Sequence, residues 1–342
     1  MERSVKVKHT ALALAAVLAA LLAAAWYGLP ALLKPPLLAA NRATAGLSEK
    51  TVSVGPHRIH YLDNGNGSGQ GSDKGVPVLL LHGIFAEKDH WVDFARALPG
   101  QHRIIVPDLP GFGESGRLEG HAYDYDAQVR YLLAFMDALG IAQAHLAGSS
   151  MGGTIAALLA AQHPGRVHSV AFIGSPHGIR SLRPSAMDRQ IDAGRAPLVA
   201  RDRAEFDAMM QLVFAQPPFL PYPILKSAEM DALRLAASNQ RLWNAQLKDR
   251  YLLDARIAQV KQPVLALWGT DDQVFDVSGA GVLRERLPQA RAVTLAGVGH
   301  LPMMEKPGDS AALYAEYLKG LGGAANARWL VRPCRSQACK SK

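Results

Sequence analysis

The 342-residue sequence predicts an α/β fold, in which helices cover both faces of a mainly parallel sheet. Short apolar or β-branched runs recur along the chain, at residues 78–81, 103–106, 144–147, 167–173 and 264–268. Stretches with helical periodicity separate them, and the clearest is residues 124–139, where apolar side chains recur every three or four positions. Strands that alternate with helices favour a parallel sheet buried on both faces.

Residues 148–152 fit the pattern G-x-S-x-G, with Ser150 at its centre. An apolar run precedes the motif and an alanine-rich helical stretch follows it, which is the strand–turn–helix context that a nucleophilic serine requires. The two glycines leave room for the tight turn. The N-terminus of the following helix offers free N–H groups to a developing oxyanion. We therefore expect Ser150 to be a nucleophile.

A serine nucleophile needs a general base, and the base needs an orienting acid. Asp271 and Asp272 follow the apolar run 264–268, and His300 follows a short strand predicted at 293–295. Both positions lie just past the carboxyl end of a strand, where ligands bind in open α/β sheets. The order serine, aspartate, histidine fits this serine turn. We expect His300 to be the base and one of the two aspartates to be the acid.

The loop after the run 78–81 is expected to complete the site. It reads H-G-I-F at residues 82–85. Beside such a serine turn, one oxyanion donor is the N–H that follows the nucleophile, here that of Met151, and the other comes from the loop after the third strand. We expect the Ile84 N–H to be the second donor; the Phe85 N–H is the alternative. His82 is expected to brace this loop through side-chain hydrogen bonds.

With these parts in order, the chain resembles the α/β-hydrolase superfamily, and within it the membrane-anchored monoacylglycerol lipases and the related bacterial lipase/esterase branch. The resemblance is carried by residues 80–91, 107–115, 148–153, 268–280 and 299–300. In the family's W-G-x-x-D segment the acid is the third residue after the glycine, which favours Asp272 over Asp271. The resemblance implies an eight-stranded, mostly parallel sheet with a helical cap inserted after the sixth strand. It also implies esterase or lipase activity that requires no metal or organic cofactor.

Other members of the superfamily define the alternatives. Epoxide hydrolases and haloalkane dehalogenases use an aspartate at this turn, and Ser150 argues against both. Perhydrolases, acyltransferases and the carbon–carbon bond hydrolases of ring-fission products keep the serine. The apolar N-terminal segment speaks against a carbon–carbon bond hydrolase. A non-catalytic, membrane-tethered binding protein on the same fold is a further alternative, against which the complete triad argues.

Residues 178–256 interrupt the alternation predicted for the hydrolase core, residues 51–177 and 257–320. This interval is rich in proline and large apolar residues, and it lies where the superfamily carries a cap or lid. A cap of this composition is expected to bind an acyl chain, although ordinary core packing is the alternative for any single residue. The candidate substrate contacts are Phe214 and Trp243 from the cap, together with Phe85 and Ser149, the latter standing where the family usually has asparagine.

Residues 11–33 contain no charged residue, three basic residues precede them, and Trp26 and Tyr27 lie towards their end. About 20 apolar residues span a bilayer, and aromatic side chains favour its interface. Residues 1–50 therefore predict a membrane anchor, followed by a linker from residue 35. A cleavable signal peptide is the alternative. By the positive-inside rule both place the domain on the extracytoplasmic (periplasmic) side, either anchored or secreted after cleavage.

The formal net charge of +8 is concentrated at the chain ends. Residues 1–50 hold six basic and two acidic residues, and the tail, residues 321–342, holds five basic and no acidic ones. A nearly neutral middle weighs against a nucleic-acid partner, whereas basic ends suit anionic lipid. The expected partners are thus a lipophilic ester and a membrane. Both cysteines, Cys334 and Cys339, lie in the tail; they suit a disulfide outside the cytoplasm and are too few for a metal site.

Overall fold

A computed structural model describes residues 2–65, 75–100 and 102–322. Its strands form one eight-stranded sheet in the order β1-β2-β4-β3-β5-β6-β7-β8. The strands are β1 (Ser48–Val54), β2 (His57–Asp63), β3 (Val78–Leu81), β4 (Ile104–Pro107), β5 (Ala144–Ser150), β6 (Val167–Pro176), β7 (Val264–Gly269) and β8 (Ala290–Leu295). The pairs β1–β2 and β2–β4 are antiparallel and the other pairs are parallel. The predicted mostly parallel, eight-stranded sheet is confirmed.

Helices precede, connect and follow these strands. They are α1 (Glu2–Gly28), α2 (Pro30–Thr44), α3 (Val92–Ala97), α4 (Tyr125–Ala138), α5 (Met151–Gln162), α6 (Ala186–Asp192), α7 (Arg203–Val213), α8 (Tyr222–Arg234), α9 (Ala236–Leu247), α10 (Leu252–Arg256), α11 (Gly279–Arg286), α12 (Pro302–Glu305) and α13 (Pro307–Gly322). The helices α6 to α10 lie between β6 and β7, as the expected insertion after the sixth strand requires.

Successive residues of the central strands are buried on opposite faces of the sheet. Leu79 and Leu81 of β3 contribute to a cluster with residues of α4 and α5. Val78 and Leu80 contribute to a second cluster, with Trp91, Phe94 and residues of α13. Because side chains alternate along a strand, a run that is apolar throughout supplies both clusters. This explains why polar and apolar residues do not alternate along these strands.

The helices α6 to α10 pack over the carboxyl end of the sheet. Met187, Leu212 and Trp243 from this segment form an apolar cluster with Trp268, at the end of β7, and Phe275. The Trp268 indole N–H donates to the Phe275 carbonyl at 3.1 Å, which satisfies its polar atom inside the cluster. The segment is therefore attached at the sheet edge where the predicted site residues lie.

The N-terminal region is helical beyond the expected anchor. The helices α1 and α2 meet at Leu29 with a bend of 94°; no single helix of the described residues is long and apolar enough to span a bilayer, whereas this bent pair passes the same test together. The linker predicted from residue 35 is wrong, because α2 continues to Thr44 despite Pro35 and Pro36. Leu38 and Arg42 are buried against the rest of the molecule, so tertiary contacts outweigh the low helix propensity of proline.

Candidate active site

Ser150 ends β5 and has a φ of 52°, a left-handed conformation that only one other described non-glycine residue shares. A Cβ at Gly148 would lie 2.3 Å from the Gly152 carbonyl carbon, and a Cβ at Gly152 would lie 2.2 Å from the Leu81 carbonyl oxygen. Backbone therefore occupies the space on both sides of the turn. The motif needs glycine at these two positions because no larger residue fits there.

Asp272 and His300 form the second part of the site. Nδ1 of His300 lies 3.0 Å from Oδ2 of Asp272. The other carboxylate oxygen accepts the N–H groups of Val274 and Phe275 at 2.8 and 3.0 Å. Both side chains are buried, so water does not compete for these hydrogen bonds. A carboxylate at Nδ1 keeps the proton on that nitrogen and leaves Nε2 as the basic atom.

The neighbouring aspartate takes no part in this pair. Asp271 is exposed, and its carboxylate accepts the hydroxyl of Thr270 at 2.9 Å. Its own N–H donates to the Val298 carbonyl, which joins the turn after β7 to the loop that carries His300. The structure thus brings Asp272 to the imidazole and leaves Asp271 in the turn.

Ser150 and His300 belong to the same edge of the sheet but are not hydrogen-bonded to each other. Among the described residues, Nε2 of His300 has no hydrogen-bond partner. The His300 ring packs edge-on against Phe275, with centroids 5.4 Å apart, and Phe275 lines the cavity at which Ser150 lies. Catalytic hydrogen bonds are often long before substrate binds and tighten in the substrate complex.

The turn after β3 lies directly beside the serine. A Cβ at Gly83 would be 3.3 Å from Ser150 Cβ and 3.9 Å from its Oγ. Phe85 in this turn is the other non-glycine residue with a left-handed φ, 58°. His82 braces the turn as expected: its Nδ1 lies 2.7 Å from the Gly83 carbonyl oxygen, and its Nε2 accepts the Leu109 N–H at 3.0 Å. Burial lowers the pKa of His82 to about 4, so the ring keeps one donor and one acceptor at neutral pH.

A small cavity of about 20 Å³ lies at Ser150. Ile84, the candidate oxyanion donor, and Trp243, a candidate substrate contact, line it, whereas Phe85, Ser149 and Phe214 do not. The walls are otherwise mainly apolar and comprise His177, Met187, Leu198, Gln246, Leu247, Val274 and Phe275.

The three other candidates have different surroundings. Ser149 is fully buried, and a Cβ at Gly174 would come within 3.3 Å of its hydroxyl, because alternate strand residues point to opposite sides. Phe214 is buried beside the His300 loop, where a Cβ at Gly299 would lie 3.1 Å from the Phe214 carbonyl carbon. Phe85 packs against Phe112. These three residues do not line this cavity, and their contact with substrate stays a prediction.

A larger cavity of about 200 Å³ adjoins the first, and His177, Met187 and Phe275 line both. On its far side the Arg180 guanidinium lies over the Tyr251 ring, 4.1 Å from the ring centre. Arg250 approaches the same ring to 5.2 Å. The Arg250 side chain is ion-paired with Asp188 and Asp192, but Arg180 has no carboxylate partner for its guanidinium within the described residues.

Two further polar residues support the Asp272–His300 pair, and neither was predicted from the sequence. The Ser175 hydroxyl donates to Asp272 Oδ2 at 2.6 Å and lies 3.1 Å from His300 Nδ1. Glu305 accepts the N–H groups of Gly299, Ala215 and Gln216, and so ties the His300 loop to the segment after α7. Ser175 lies at the carboxyl end of β6, at the same edge as the serine turn, and this position is a signal that could have found it.

Among the described residues, one group brings three possible metal ligands together, Glu49, His60 and Glu114. Arg42 is ion-paired with Glu49, and Lys88 with Glu114, so cations of the protein already neutralise the two carboxylates. The group does not include Ser150, Asp272 or His300.

The chain was compared with known proteins. A family model described as the alpha/beta hydrolase fold matches residues 76–307. The chain is 31% identical over 291 residues to Lipase 1 of Psychrobacter immobilis, which covers 81% of this chain and 85% of that protein. It is 27% identical over 298 residues to Monoacylglycerol lipase ABHD6 of Homo sapiens, over 83% of this chain and 86% of that one. The crystal structure of a membrane phospholipase A, described as a novel bacterial virulence factor, matches with a TM-score of 0.81 at 36% identity, over 93% of this chain and 100% of that one.

Proposed function

The chain belongs to the α/β-hydrolase family and is a carboxylic ester hydrolase, and on this premise we propose that it cleaves acyl esters of lipophilic alcohols through an acyl-enzyme on Ser150. The observation that carries the proposal is the Asp272–His300 hydrogen bond at the sheet edge where the strained Ser150 turn ends. This set of groups is what nucleophilic acyl transfer requires: a nucleophile, a base and an orienting acid.

In the proposed reaction, Ser150 Oγ attacks the ester carbonyl carbon while its proton passes to Nε2 of His300. The carbonyl oxygen becomes an oxyanion, which the N–H groups of Met151 and Ile84 stabilise. The bond to the alcohol oxygen then breaks, and His300 returns its proton to the departing alcohol. Water adds to the acyl group with loss of a proton to Nε2, and the carboxylic acid leaves as the Ser150 hydroxyl is restored.

The lipophilic substrate class is supported by the walls of the Ser150 cavity, where Leu198, Trp243 and Val274 present apolar surface. Burial of an acyl chain there is favourable by about 0.8 kcal/mol for each CH₂ removed from water. A cavity of about 20 Å³ holds about one water molecule, so an acyl chain must displace the surrounding helices to enter. We infer that the insertion over residues 178–256 is a cap that opens for substrate.

Membrane association is the second part of the proposal. The large apolar side chains of α1 are more than half exposed at every described position from 12 to 22: Leu12, Leu14, Val17, Leu18, Leu21 and Leu22. An exposed apolar surface of this length suits a bilayer. The relative described as a membrane phospholipase A supports such an association. Basic residues before the apolar run favour an extracytoplasmic catalytic domain, and protease digestion of intact cells tests this sidedness. The cysteines of the tail, Cys334 and Cys339, lie outside the described residues.

A phospholipid ester is a second candidate substrate, and one observation favours it. The 200 Å³ cavity beside the Ser150 cavity has a guanidinium, that of Arg180, without a carboxylate partner among the described residues. Such a group binds phosphate oxygens through charge-assisted hydrogen bonds. The variant Arg180→Gln should then lose about 5- to 20-fold in kcat/KM on a 1-acylglycerol 3-phosphate and little on the matched 1-acylglycerol. Arg183→Gln, at an exposed arginine paired with Asp276, is the control.

The main proposal is tested by substrate profile and by labelling. Hydrolysis is measured over p-nitrophenyl esters of increasing chain length and over monoacylglycerols, and the rate should rise with the apolar surface of the acyl chain. A fluorophosphonate probe followed by peptide mass spectrometry should place the adduct on Ser150. Equal rates for all chain lengths would argue against an acyl-binding cap, and an adduct on another residue would remove Ser150 from its role.

The same experiments separate the two alternatives. A binding protein without activity would take no fluorophosphonate and hydrolyse none of the esters. A carbon–carbon bond hydrolase would act on a ring-fission product, a vinylogous diketo acid, in preference to any simple ester. That alternative depends only on the shared fold and triad, whereas the lipase relatives support ester hydrolysis.

A further inference from the structure

The turn that carries Ile84 is followed by charged residues that are held by the N-terminal helix α2. Nζ of Lys34 lies 3.2 Å from Oε1 of Glu87. Arg42 contacts both carboxylate oxygens of Asp89, with Nε–Oδ1 and Nη2–Oδ2 distances of 2.6 Å. A two-point contact of this kind restricts the direction as well as the distance between its partners. Two turns of α2 thus hold the chain three and five residues after Ile84.

The residue between these two attachments is fixed from the other side. Lys88 is fully buried, and its Nζ lies 2.8 Å from Oδ2 of the fully buried Asp108, directly after β4. The Lys88 N–H donates to the other oxygen of Asp108 at 2.7 Å. Burial acts to lower the pKa of Lys88, but Asp108 and Glu114 raise it above its ordinary value, so the ammonium group stays charged. Residues 87, 88 and 89 therefore all fix the end of the turn. The helix α2 contacts the first and the last of them, and Asp108 contacts Lys88.

The helix α2 lies outside the region that the family model matches, residues 76–307. It also continues from the apolar helix α1 and packs against α8 of the inserted helices. An ion pair at an exposed surface contributes little. The Arg42 and Asp89 side chains, however, are only 9% and 6% exposed, so their contact is desolvated and geometrically fixed. This burial distinguishes the pair from the exposed ion pairs elsewhere on the helices.

The turn between β3 and these charged residues needs such support. Phe85 holds a left-handed φ of 58°, which costs a non-glycine residue about 1 kcal/mol or more and persists only where its surroundings enforce it. If the anchoring residues shift, the strained turn can relax, and the N–H of Ile84 then moves away from the place where the oxyanion forms.

We propose that Arg42 and Lys34 of α2 are positioning residues for the oxyanion hole, which set the place of the Ile84 N–H by holding Asp89 and Glu87. The rate of acyl transfer then depends on these two contacts between α2 and residues 87 and 89. This inference rests on the proposed role of Ile84 as an oxyanion donor. Loss of one such donor lowers kcat by about 10²- to 10³-fold, and partial misplacement is expected to cost less.

The test uses the full chain purified in detergent, with the variants Arg42→Lys and Asp89→Asn. Arg42→Lys keeps the charge and Asp89→Asn keeps the size of the side chain, and both remove the two-point contact. We expect kcat on a p-nitrophenyl ester to fall by about 10- to 50-fold, with KM changed by less than about 3-fold, because the oxyanion exists only in the transition state. Affinity for a boronic acid that mimics the tetrahedral adduct should fall by the same factor as kcat.

Arg96→Gln is the matched control. Arg96 of α3 holds the end of the same helix through Asn41 and Thr44 but contacts none of residues 84–89. Its kcat should stay within about 2-fold of the wild type. A loss in kcat as large as that of Arg42→Lys would mean that any loosening of α2 has this effect, and would overturn the specific role of Arg42. Unchanged kcat and boronate affinity in both test variants would overturn it as well.

Thermal unfolding is followed for every variant, so that a loss of folded protein is not counted as a loss of rate. If Asp89→Asn does not fold, Arg42→Lys, which keeps the charge, decides the question. Fluorophosphonate labelling of Ser150 distinguishes a failure of the proposed function from a failure of this inference alone. Wild-type protein that neither labels at Ser150 nor hydrolyses esters would refute the proposed function, whereas Ser150-dependent turnover that is insensitive to Arg42 and Asp89 would refute the inference alone.

Discussion

Two turns of the site share a strained backbone but are held by different means. Ser150 and Phe85 are the described non-glycine residues with a left-handed φ, 52° and 58°. The serine turn is held by its own backbone, because Gly148 and Gly152 bring neighbouring chain segments into direct contact. The Phe85 turn is held by side chains: that of His82 within the turn, and the ion pairs that join residues 87–89 to distant parts of the chain.

This difference determines what a sequence can reveal. The serine turn depends on five consecutive residues, so its pattern is visible as a motif. The partners of the other turn are 20, 47 and 53 residues away from it in sequence. No local sequence pattern predicts that Arg42 contacts Asp89. We expect substitutions at the first turn to act through steric overlap and those at the second through unpaired charge.

The largest effect is expected for Gly152→Ala, which tests whether close backbone contact holds the serine turn. The new Cβ would lie 2.2 Å from the Leu81 carbonyl oxygen, and backbone atoms cannot give way cheaply. Ester turnover should fall by about 10³-fold or more, or the protein should fail to fold, since misplacing the nucleophile removes the reaction geometry. Gly281→Ala is the control, because its Cβ would meet nothing within 4 Å, and it should leave turnover unchanged. Normal activity of Gly152→Ala would contradict the steric account.

The next largest effect tests whether ion pairs hold the Phe85 turn. Lys88→Met removes one partner of a fully buried ion pair and leaves Asp108 unpaired. Breaking such a pair costs about 3–5 kcal/mol in the free energy of unfolding. Urea unfolding measures the loss, and Arg203→Gln, which breaks an exposed pair with Asp207, should cost less than about 0.5 kcal/mol. A loss of similar size in both variants would show that the Lys88 pair does not hold the turn as described.

Lowering the pH should weaken the Phe85 turn but not the serine turn, because only the Phe85 turn depends on a titratable side chain. Burial lowers the pKa of His82 to about 4 in the folded protein from its ordinary value of 6.5. The unfolded chain therefore binds more protons between these values, and stability falls as the pH drops from about 6.5 to 4. The linked free energy is about 3 kcal/mol. His82→Gln, which keeps a donor and an acceptor, should show a flatter decline in thermal midpoint over this range, and an equally steep one would exclude His82 as its source.

The smallest effect is expected for Ser175→Ala. The variant removes the hydroxyl that donates to Asp272 at 2.6 Å but leaves the direct Asp272–His300 contact intact. One hydrogen bond to a charged group contributes about 1.5–3 kcal/mol. Because the direct Asp272–His300 contact remains, we expect a loss at the lower end of this range, about 10-fold in kcat, with little change in KM. Ser169→Ala, at a fully buried serine near the other end of β6 that hydrogen-bonds His145, provides the comparison. A decrease of the same size in both would assign the effect to general destabilisation.

The parts of the structure that the sequence predicted are local ones. Apolar runs predicted the strands of both core clusters, and the residues flanking Ser150, Asp272 and His300 were enough to assign each of them to the end of a strand. Tertiary contacts account for the rest. Most of residues 37–43 are strong helix formers, but the helix also runs through Pro35 and Pro36, because Leu38 and Arg42 are buried against the rest of the molecule. Glu305 meets Ala215 across 90 residues, and no periodicity predicts this contact.

The same limit applies to the substrate contacts. Trp243 was chosen for its size and position in the insertion, and it does line the Ser150 cavity. Phe214 was chosen for the same reasons, yet it does not line this cavity, and its backbone lies beside the His300 loop. Composition predicts that such an insertion is apolar, but the direction of each side chain depends on how its helix packs over the sheet.

The most direct test of the central claim, that Ser150, Asp272 and His300 act as one unit, is a comparison of two single variants with the double variant. Turnover of one p-nitrophenyl ester is measured for Ser150→Ala, His300→Gln and the protein that carries both. Each single variant should lose about 10⁴-fold or more in kcat, and the double variant should be no slower than the slower single one, because either change already removes the whole nucleophilic pathway. Losses that multiply in the double variant, or turnover retained by Ser150→Ala, would contradict the account.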